Sequence, residues 1–468
     1  MVNLFDFILL SIYFICISSI INDIPTQIHM AQGKTPETMI ISWITKTNIK
    51  TQIAYNHYNI PITRFMNSNY TTQYRFNYYP YENYTSGYIH HILIDKLNSE
   101  TLYIYECGDF DLGLTSKSYF KTLSNVGFQY SPTVFGIIAN LELDSKDKFI
   151  LTQLIKNKFI KMIIQIGGLS HANCNQTLWD DFGKMIEPLS KKIPWMIIPS
   201  NYEIEFNPGD LQTNLYLSFE SRYKMPMIKP TLYGSIISNI SVNPLTNTPY
   251  CSPKNFQSEY DYGNSFYSFD TGLTHFIFLN GYTRTDNNSN QYKWLLSDLK
   301  STDRRITPWI IVVSNFPIYY NKQLENKTQI LLMKKSFEPI FFEYKVNLIL
   351  SNYPNTYERT FPVYEEQINI NGPVYIVISN KDNYEYNDED NYEYNNVDNN
   401  GISINKQNWI AYKNTSYFGY GLLSIVNAFE LNWKWFSNID NKLILQDNFI
   451  LNNFILDNNF QKKYIRRR

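Results

Sequence analysis

The chain has 468 residues, with 41 Lys and Arg against 42 Asp and Glu and a formal net charge of −1. So balanced a charge supplies no global field for nucleic acid or an anionic membrane, and nucleic acid is not an expected partner. At 44% hydrophobic and 16% aromatic residues the chain can bury a core of ordinary size, and its length points to more than one domain.

Residues 1–20, MVNLFDFILLSIYFICISSI, hold an apolar run ending in small residues. This is the pattern of a secretory signal peptide, although its n-region carries no Lys or Arg. The expectation is a secreted or secretory-pathway protein. An uncleaved segment that anchors the chain to a membrane is the alternative. Glycosylation sequons stand at Asn69, Asn83, Asn175, Asn239, Asn287, Asn326 and Asn414, as expected of a glycoprotein. Cys16 would leave with the signal. Cys107, Cys174 and Cys251 remain, none at zinc spacing, and their odd count leaves at least one thiol free or paired with another chain. Stability is therefore expected from the core, not from a disulfide framework.

Residues 25–45 alternate apolar and polar side chains before reaching MIISW, and residues 86–109 repeat the pattern. This predicts strand, turn and strand. Nothing to about Thr122 reads as a helix, so residues 21–125 are expected to form a small antiparallel β-sandwich of immunoglobulin or fibronectin type. His90 and His91 fall inside a strand and read as sheet residues, not ligands. From Pro132 the pattern changes. The runs TVFGIIAN, FIKMIIQIGG, WMIIPSN, HFIFLNG, WIIVVSN and VNLILSN each stop at a small or polar residue, and Lys146–Lys158 and Gln291–Leu299 read as amphipathic helices. Apolar strands of this kind predict an α/β domain over residues 126–445, with its site on the loops at the strand ends. Residues 381–400 are acidic and Asn-rich and read as a surface insertion. Residues 416–436 read as two closing strands. Residues 446–468 read as a tail whose terminal Lys and Arg are solvated.

The stretch Val346 to Tyr364, VNLILSNYPNTYERTFPVY, resembles the last metal-binding loop of the purple acid phosphatases, DLVFSGHVHAYERTFPVY. The first 122 residues are similar to the N-terminal domain of the long, plant-type members, in which PEQVHLS, VSW and SGYIHHV occupy the same places. The resemblance runs from about Pro25 to Phe436. It implies a β-sandwich plus α/β fold: an N-terminal fibronectin-III-like domain followed by a four-layer α/β/β/α metallophosphoesterase domain. It also implies an acid phosphatase that uses two metal ions to generate hydroxide and clamp the phosphoryl oxygens.

The resemblance also places the ligands, and this chain departs from them in every loop. FGIIANLE stands for FGVIGDLG, so Asn140 replaces an iron-binding Asp. QIGGLSHAN stands for HLGDLSYAD, so Gly168 replaces the bridging Asp and His171 the Tyr. IPSNYEIE stands for TPGNHEIE, keeping Asn201 but placing Tyr202 at a His. TPWIIVVSNFPIY puts Asn315 at a metal His, and in the last loop Tyr353 and Asn355 stand at the two histidines. An Asn offers a neutral carbonyl in place of a charge, and a Gly offers nothing. After Pro132 the only histidines are His171 and His275, and His275 lies inside an apolar strand, so no reserve of imidazoles exists.

The expectation is a catalytically inactive relative with a binding or structural role. No catalytic residue is expected to be intact, and no metal cofactor is expected. His171 and Asn201 are the residual metal candidates. The alternative is an active phosphomonoester hydrolase with a rebuilt site, using iron with zinc or manganese. The expected partner is a protein or a polar small molecule. A membrane enters only through an uncleaved N-terminal segment, and a homodimer is the expected assembly.

Overall fold

A computed structural model describes residues 23–141, 143–205, 207, 215–226, 251, 260–320, 327–352, 356–378, 407–414 and 417–453. The elements begin with eleven strands: β1 (Thr26–Gln32), β2 (Met39–Thr45), β3 (Thr51–His57), β4 (Arg64–Ser68), β5 (Thr71–Thr72), β6 (Arg75–Tyr78), β7 (Tyr81–Thr85), β8 (Tyr88–Ile94), β9 (Leu102–Asp109), β10 (Gly113–Leu114) and β11 (Ser118–Lys121). One sheet has the order β1-β2-β8-β5 and the other β10-β9-β3-β4, with β11 also on β9. Alternate residues turn inward, so Met39, Ile41 and Trp43 of β2 meet Ile53 and Tyr55 of β3 and Tyr103, Tyr105 and Cys107 of β9. His90 lies between the hydroxyls of Thr45 and Thr51, at 2.7 Å from each, and stacks on Trp43. His91 Nε2 donates to the Ser221 carbonyl at 2.9 Å, and its Nδ1 meets Ser42 Oγ at 2.8 Å. Both imidazoles are core groups of the sheet.

The second half is two packed sheets with helices outside. Its elements are β12 (Thr133–Ile138), α1 (Ser145–Lys156), β13 (Ile160–Ile166), α2 (Thr177–Ser190), β14 (Trp195–Ile198), α3 (Leu217–Arg222), β15 (Tyr267–Thr271), β16 (Thr274–Leu279), α4 (Asn290–Ser301), β17 (Trp309–Ser314), α5 (Lys327–Glu343) and β18 (Leu348–Asn352). They continue with β19 (Tyr357–Thr360), β20 (Val363–Tyr364), β21 (Gln367–Ile368), β22 (Val374–Ile378), β23 (Ile410–Asn414), β24 (Gly419–Ile425), β25 (Glu430–Ile439) and β26 (Lys442–Asn452). The six-stranded sheet runs β14-β13-β12-β24-β25-β26 and the seven-stranded sheet β15-β16-β17-β18-β22-β19-β23. Phe135 of β12 and Phe276 of β16 meet across the sheets, their rings 5.0 Å apart. The parallel strands β12 to β14 and β16 to β18 read as unbroken apolar runs because both faces are covered.

Three features differ from the expectations. The last sheet gains β26, so ordered chain continues to Asn452, past residue 445 where the sequence reading ended the domain. The two helices expected at Lys146–Lys158 and Gln291–Leu299 form within a residue or two of those bounds, but α2 and α5 were not foreseen as helices. Cys174 and Cys251 form a disulfide and Cys107 is a buried free thiol, so one covalent staple supplements the core. The expected signal segment, the insertion 381–400, the residues after 453, and Asn239 and Asn326 lie outside the described residues.

The two halves meet through a buried cation. Arg222 pairs with Asp180 at 2.9 Å and donates to the hydroxyls of Tyr74 and Tyr84 at 2.9 and 2.6 Å. Gln27 of β1 donates to Asp180 and accepts from Arg222, and its backbone N–H reaches Glu187 at 2.8 Å. A Cβ on Gly183 of α2 would stand 2.4 Å from Gln27 Oε1, so the helix approaches β1 this closely only because that residue has no side chain.

Candidate functional site

The parallel strands of both sheets end on one edge, and every described position that the sequence marks as a former metal ligand lies on the loops there. Asn140 follows β12 with φ at +49°. Its backbone N–H and that of Leu141 donate to the carbonyls of Gly167 and Gly168. Its side chain closes on Asn352, at the end of β18. Asn140 Nδ2 donates to Asn352 Oδ1 at 3.0 Å, and Asn352 Nδ2 donates back at 2.8 Å. Both residues are buried. Two neutral amides so matched satisfy each other and hold no charge.

Gly168 lies against this pair in the left-handed region, φ +59°. A Cβ there would stand 2.2 Å from Asn140 Oδ1 and 2.8 Å from His171 Nε2. No carboxylate fits at this position while Asn140 and His171 stay where they are. The loop is held from behind. Glu203, fully buried, accepts from the N–H groups of Ser200, Gly168 and Leu169 and from the Ser200 hydroxyl, at 2.7–3.2 Å. With Ser200 it forms the capping box of the short turn Asn201–Glu203. Its carboxylate is therefore a fastening for two loops.

His171 and Tyr202 stack face to face, ring centres 3.9 Å apart and nearly parallel. Asn201 opens the turn beside them and is half-buried. Asn315, after β17, donates to the Pro199 carbonyl at 2.7 Å and to Asn280 Oδ1 at 2.8 Å, and accepts from Gly281 N–H at 2.7 Å. That amide joins three strand-end loops as a crosslink. The structure thus brings Asn140, Gly168, His171 and Tyr202 into one connected surface, with Asn201 next to it and Asn315 tied to the same Pro199–Ser200 loop. Tyr353 and Asn355 lie outside the described residues.

Asn352 and Asn280 were missed by sequence reasoning. Asn352 had a signal, because it stands where the family motif has the Gly of SGHVH. A side chain at that position must project into the loop cluster. Asn280 carried none beyond its place at a strand end.

One other group of metal-type side chains exists among the described residues: Cys174, Glu205 and Cys251. The two sulfurs are bonded to each other. Glu205 accepts from Cys174 N–H, Gln176 Nε2 and Trp179 Nε1 at 2.9–3.0 Å, and burial raises its pKa. It serves as an internal acceptor behind the loop that carries His171.

A pair of cations sharing a phosphoester needs bridging and terminal anionic donors. The described residues at the mapped positions do not fit that group. They comprise an amide pair closed on itself, an amide spent on loop contacts, a glycine with no room for a side chain, one imidazole stacked on a phenol, and the single retained amide Asn201, none of which carries the anionic charge the pair of cations needs.

Residues 25–122 match the family model described as "Purple acid Phosphatase, N-terminal domain", and residues 372–446 match "Iron/zinc purple acid phosphatase-like protein C". The chain is 28% identical over 437 residues to a probable purple acid phosphatase 20 of Arabidopsis thaliana, covering 92% of this chain and 89% of that one. It is 27% identical over 463 residues to a phosphoenolpyruvate phosphatase of Allium cepa, covering 95% and 85%. The purple acid phosphatase PPD1 from seeds of yellow lupin, Lupinus luteus, shares the fold with a TM-score of 0.69 at 18% identity, over 92% of this chain and 74% of that one. A structure of PhoD shares it with a TM-score of 0.62 at 11% identity, over 92% and 90%. These matches correct one expectation. Loss of ligand side chains led to the inference that no metal cofactor attends this chain, yet the protein whose model its C-terminal part matches is an iron/zinc one.

Proposed function

This chain belongs to the plant-type purple acid phosphatase family, and from that premise we propose that it is a catalytically inactive member, a pseudophosphatase. Its role would be binding or structural, in the secretory pathway or outside the cell. The observation that carries this reading is the Asn140–Asn352 amide pair lying over Gly168. It fills the place where the family motif supplies a carboxylate from each of two loops. Phosphomonoester hydrolysis in this fold depends on a concentrated positive centre that activates water and neutralises the phosphoryl oxygens. Here the same loops present neutral amides whose hydrogen bonds are directed at each other and at the backbone.

The proposal concerns turnover, not metal content. What this chain's residues do is hold the cleft in shape: Asn315 and Glu203 fasten the loops, and His171 packs on Tyr202. A surface of amides, one phenol and one imidazole suits a polar, uncharged ligand or a protein loop better than a phosphate. Secretion is supported by the Cys174–Cys251 disulfide, since such bonds persist in oxidising compartments. Exposed sequon residues Asn69, Asn83 and Asn287 are consistent with glycosylation. Among the described residues no helix is long and apolar enough to cross a membrane.

The test is a phosphomonoesterase assay on the purified chain supplied with iron and with zinc or manganese, at acidic to neutral pH. No turnover above the protein-free blank is expected. Metal-dependent turnover that is lost in His171→Ala would establish the rebuilt-site alternative instead.

A further inference from the structure

On the edge opposite the candidate site, the loops that lead into the parallel strands present aromatic rings to solvent. Phe159, the residue before β13, is 75% exposed, and Tyr130, shortly before β12, is 76% exposed. Phe128, half exposed, meets Tyr130 edge-on with ring centres 4.7 Å apart. Ile155, in the last turn of α1, is 42% exposed. Phe159 and Tyr130 precede adjacent parallel strands, β13 and β12, in which Ile160 pairs in register with Val134. Exposed rings also occur elsewhere on the described surface, among them Tyr79 and Phe65, but here three rings and Ile155 stand beside lysines on one rim.

Cations interleave with the rings. Lys156 and Lys158 are exposed and form no ion pair among the described residues. Asp303 on the same rim is neutralised by Arg305 at 2.6 Å. The chain also leaves the described fold here: Asn453 donates to the Pro308 carbonyl at 2.7 Å, at the start of β17. By sequence, the residues that follow include Lys462, Lys463, Arg466, Arg467 and Arg468 against a single acid, Asp457. With Lys156 and Lys158 the rim combines rings and positive charge in a protein whose overall charge is near zero.

We propose that this rim docks onto an anionic lipid surface, with Phe159 and Tyr130 entering the headgroup boundary and Lys156 and Lys158 meeting the headgroups. Aromatic rings favour that boundary, and lysines beside them gain from the negative surface potential. Each signal alone is weak, and stable peripheral binding needs both together. A second copy of the chain is a poorer occupant, because pairing this rim with itself brings like charges together. The surface is separate from the strand-end cleft.

The test is co-sedimentation of the full chain with phosphatidylcholine vesicles, with and without phosphatidylserine, at low and at high salt. The full chain should partition onto the phosphatidylserine vesicles and be released by salt. The double variant Phe159→Ser with Lys158→Glu should partition about tenfold or more weakly. Both side chains are exposed, so its melting temperature should match the parent's. The proposal is overturned if the parent ignores the anionic vesicles, or if the variant binds as tightly as the parent, which would assign the binding to a terminal segment that both carry. Self-association in sedimentation velocity that disappears in the variant, without lipid binding, would overturn it in favour of a second copy.

Discussion

Asn140 and Asn352 each donate a side-chain N–H to the other's carbonyl oxygen, at 3.0 and 2.8 Å, across the edge where the two sheets of the α/β domain meet. Neither substitution is neutral by itself. An Asp at 140 facing Asn352 would leave a carboxylate next to an acceptor, and a Gly at 352 would leave the Asn140 amide without this partner. Set against the family motif, one loop carries an amide in place of a charge and the other an amide in place of a glycine, and the two close on each other.

Restoring the carboxylate alone should therefore harm the protein. In Asn140→Asp, one of the two hydrogen bonds is lost and a buried charge faces Asn352 Oδ1. We expect a loss of about 1–3 kcal/mol at neutral pH. Burial raises the folded pKa of the new group above its unfolded value. Its destabilising effect is thus small at low pH and grows as pH rises past the unfolded carboxylate range. Chemical denaturation at acidic and neutral pH measures this. A variant as stable as the parent at neutral pH would mean that the pair carries no strain when charged.

Much of the fold was legible because its strands are apolar on both faces. HFIFL and WIIVV could pack nowhere but inside a covered sheet, and they became β16 and β17. The candidate site was legible through the spelling of its loops, which located Asn140, Gly168 and Asn315. What was not legible depended on partners distant in sequence. Asn352 drew no notice because it sits beside the mapped ligand positions and not on one. The Cys174–Cys251 bond joins residues 77 apart, and spacing alone cannot pair them. Most of β26, from residue 446, reads as tail in the sequence because its apolar residues do not alternate cleanly, and most of its side chains are exposed or half-exposed.

Stability should peak near pH 6.5, limited on each side by histidines in opposite states. Burial lowers His29 and His90 to about 4, and pushes His91 well below its ordinary value. Between pH 6.5 and about 4 the unfolded chain holds protons that these residues refuse, so stability falls as pH falls through that window. His275 is opposite. Burial pulls it down, but its bonds to Asp270 at 2.6 Å and Asp298 at 2.8 Å prevail and raise it to about 9. Its contribution is full below pH 6.5 and is lost as pH rises to about 9. A shift of this size corresponds to roughly 3 kcal/mol per residue. Melting curves from pH 4 to 9 give the profile, and His275→Gln should flatten its alkaline limb. An alkaline limb unchanged in that variant would contradict the assignment.

Arg222 should be the most sensitive residue at the junction of the two halves. Replacing it with Ala strands Asp180, whose pKa is held low by Arg222 against the effect of burial, and removes a donor from Tyr74 and Tyr84. We expect a loss of about 3 kcal/mol in chemical denaturation. A loss below about 1 kcal/mol would show that the junction does not rely on this cation.

Reduction of the Cys174–Cys251 bond should lower stability by about 2–4 kcal/mol without exposing the Cys107 thiol. Burial pushes Cys107 up to about 12, so it should resist alkylation in the folded protein and react only on unfolding. Mass spectrometry after labelling, with and without a reductant, distinguishes Cys107, Cys174 and Cys251. Labelling of Cys107 in the folded chain would place it outside the sandwich core.

The most direct measurement is the release of phosphate from a phosphomonoester by the purified chain, supplied with iron and zinc and compared with a protein-free blank. The two should be indistinguishable across acidic and neutral pH. Turnover that requires the added metal, from a protein whose mapped ligand positions hold Asn140, Gly168 and Asn315, would contradict that.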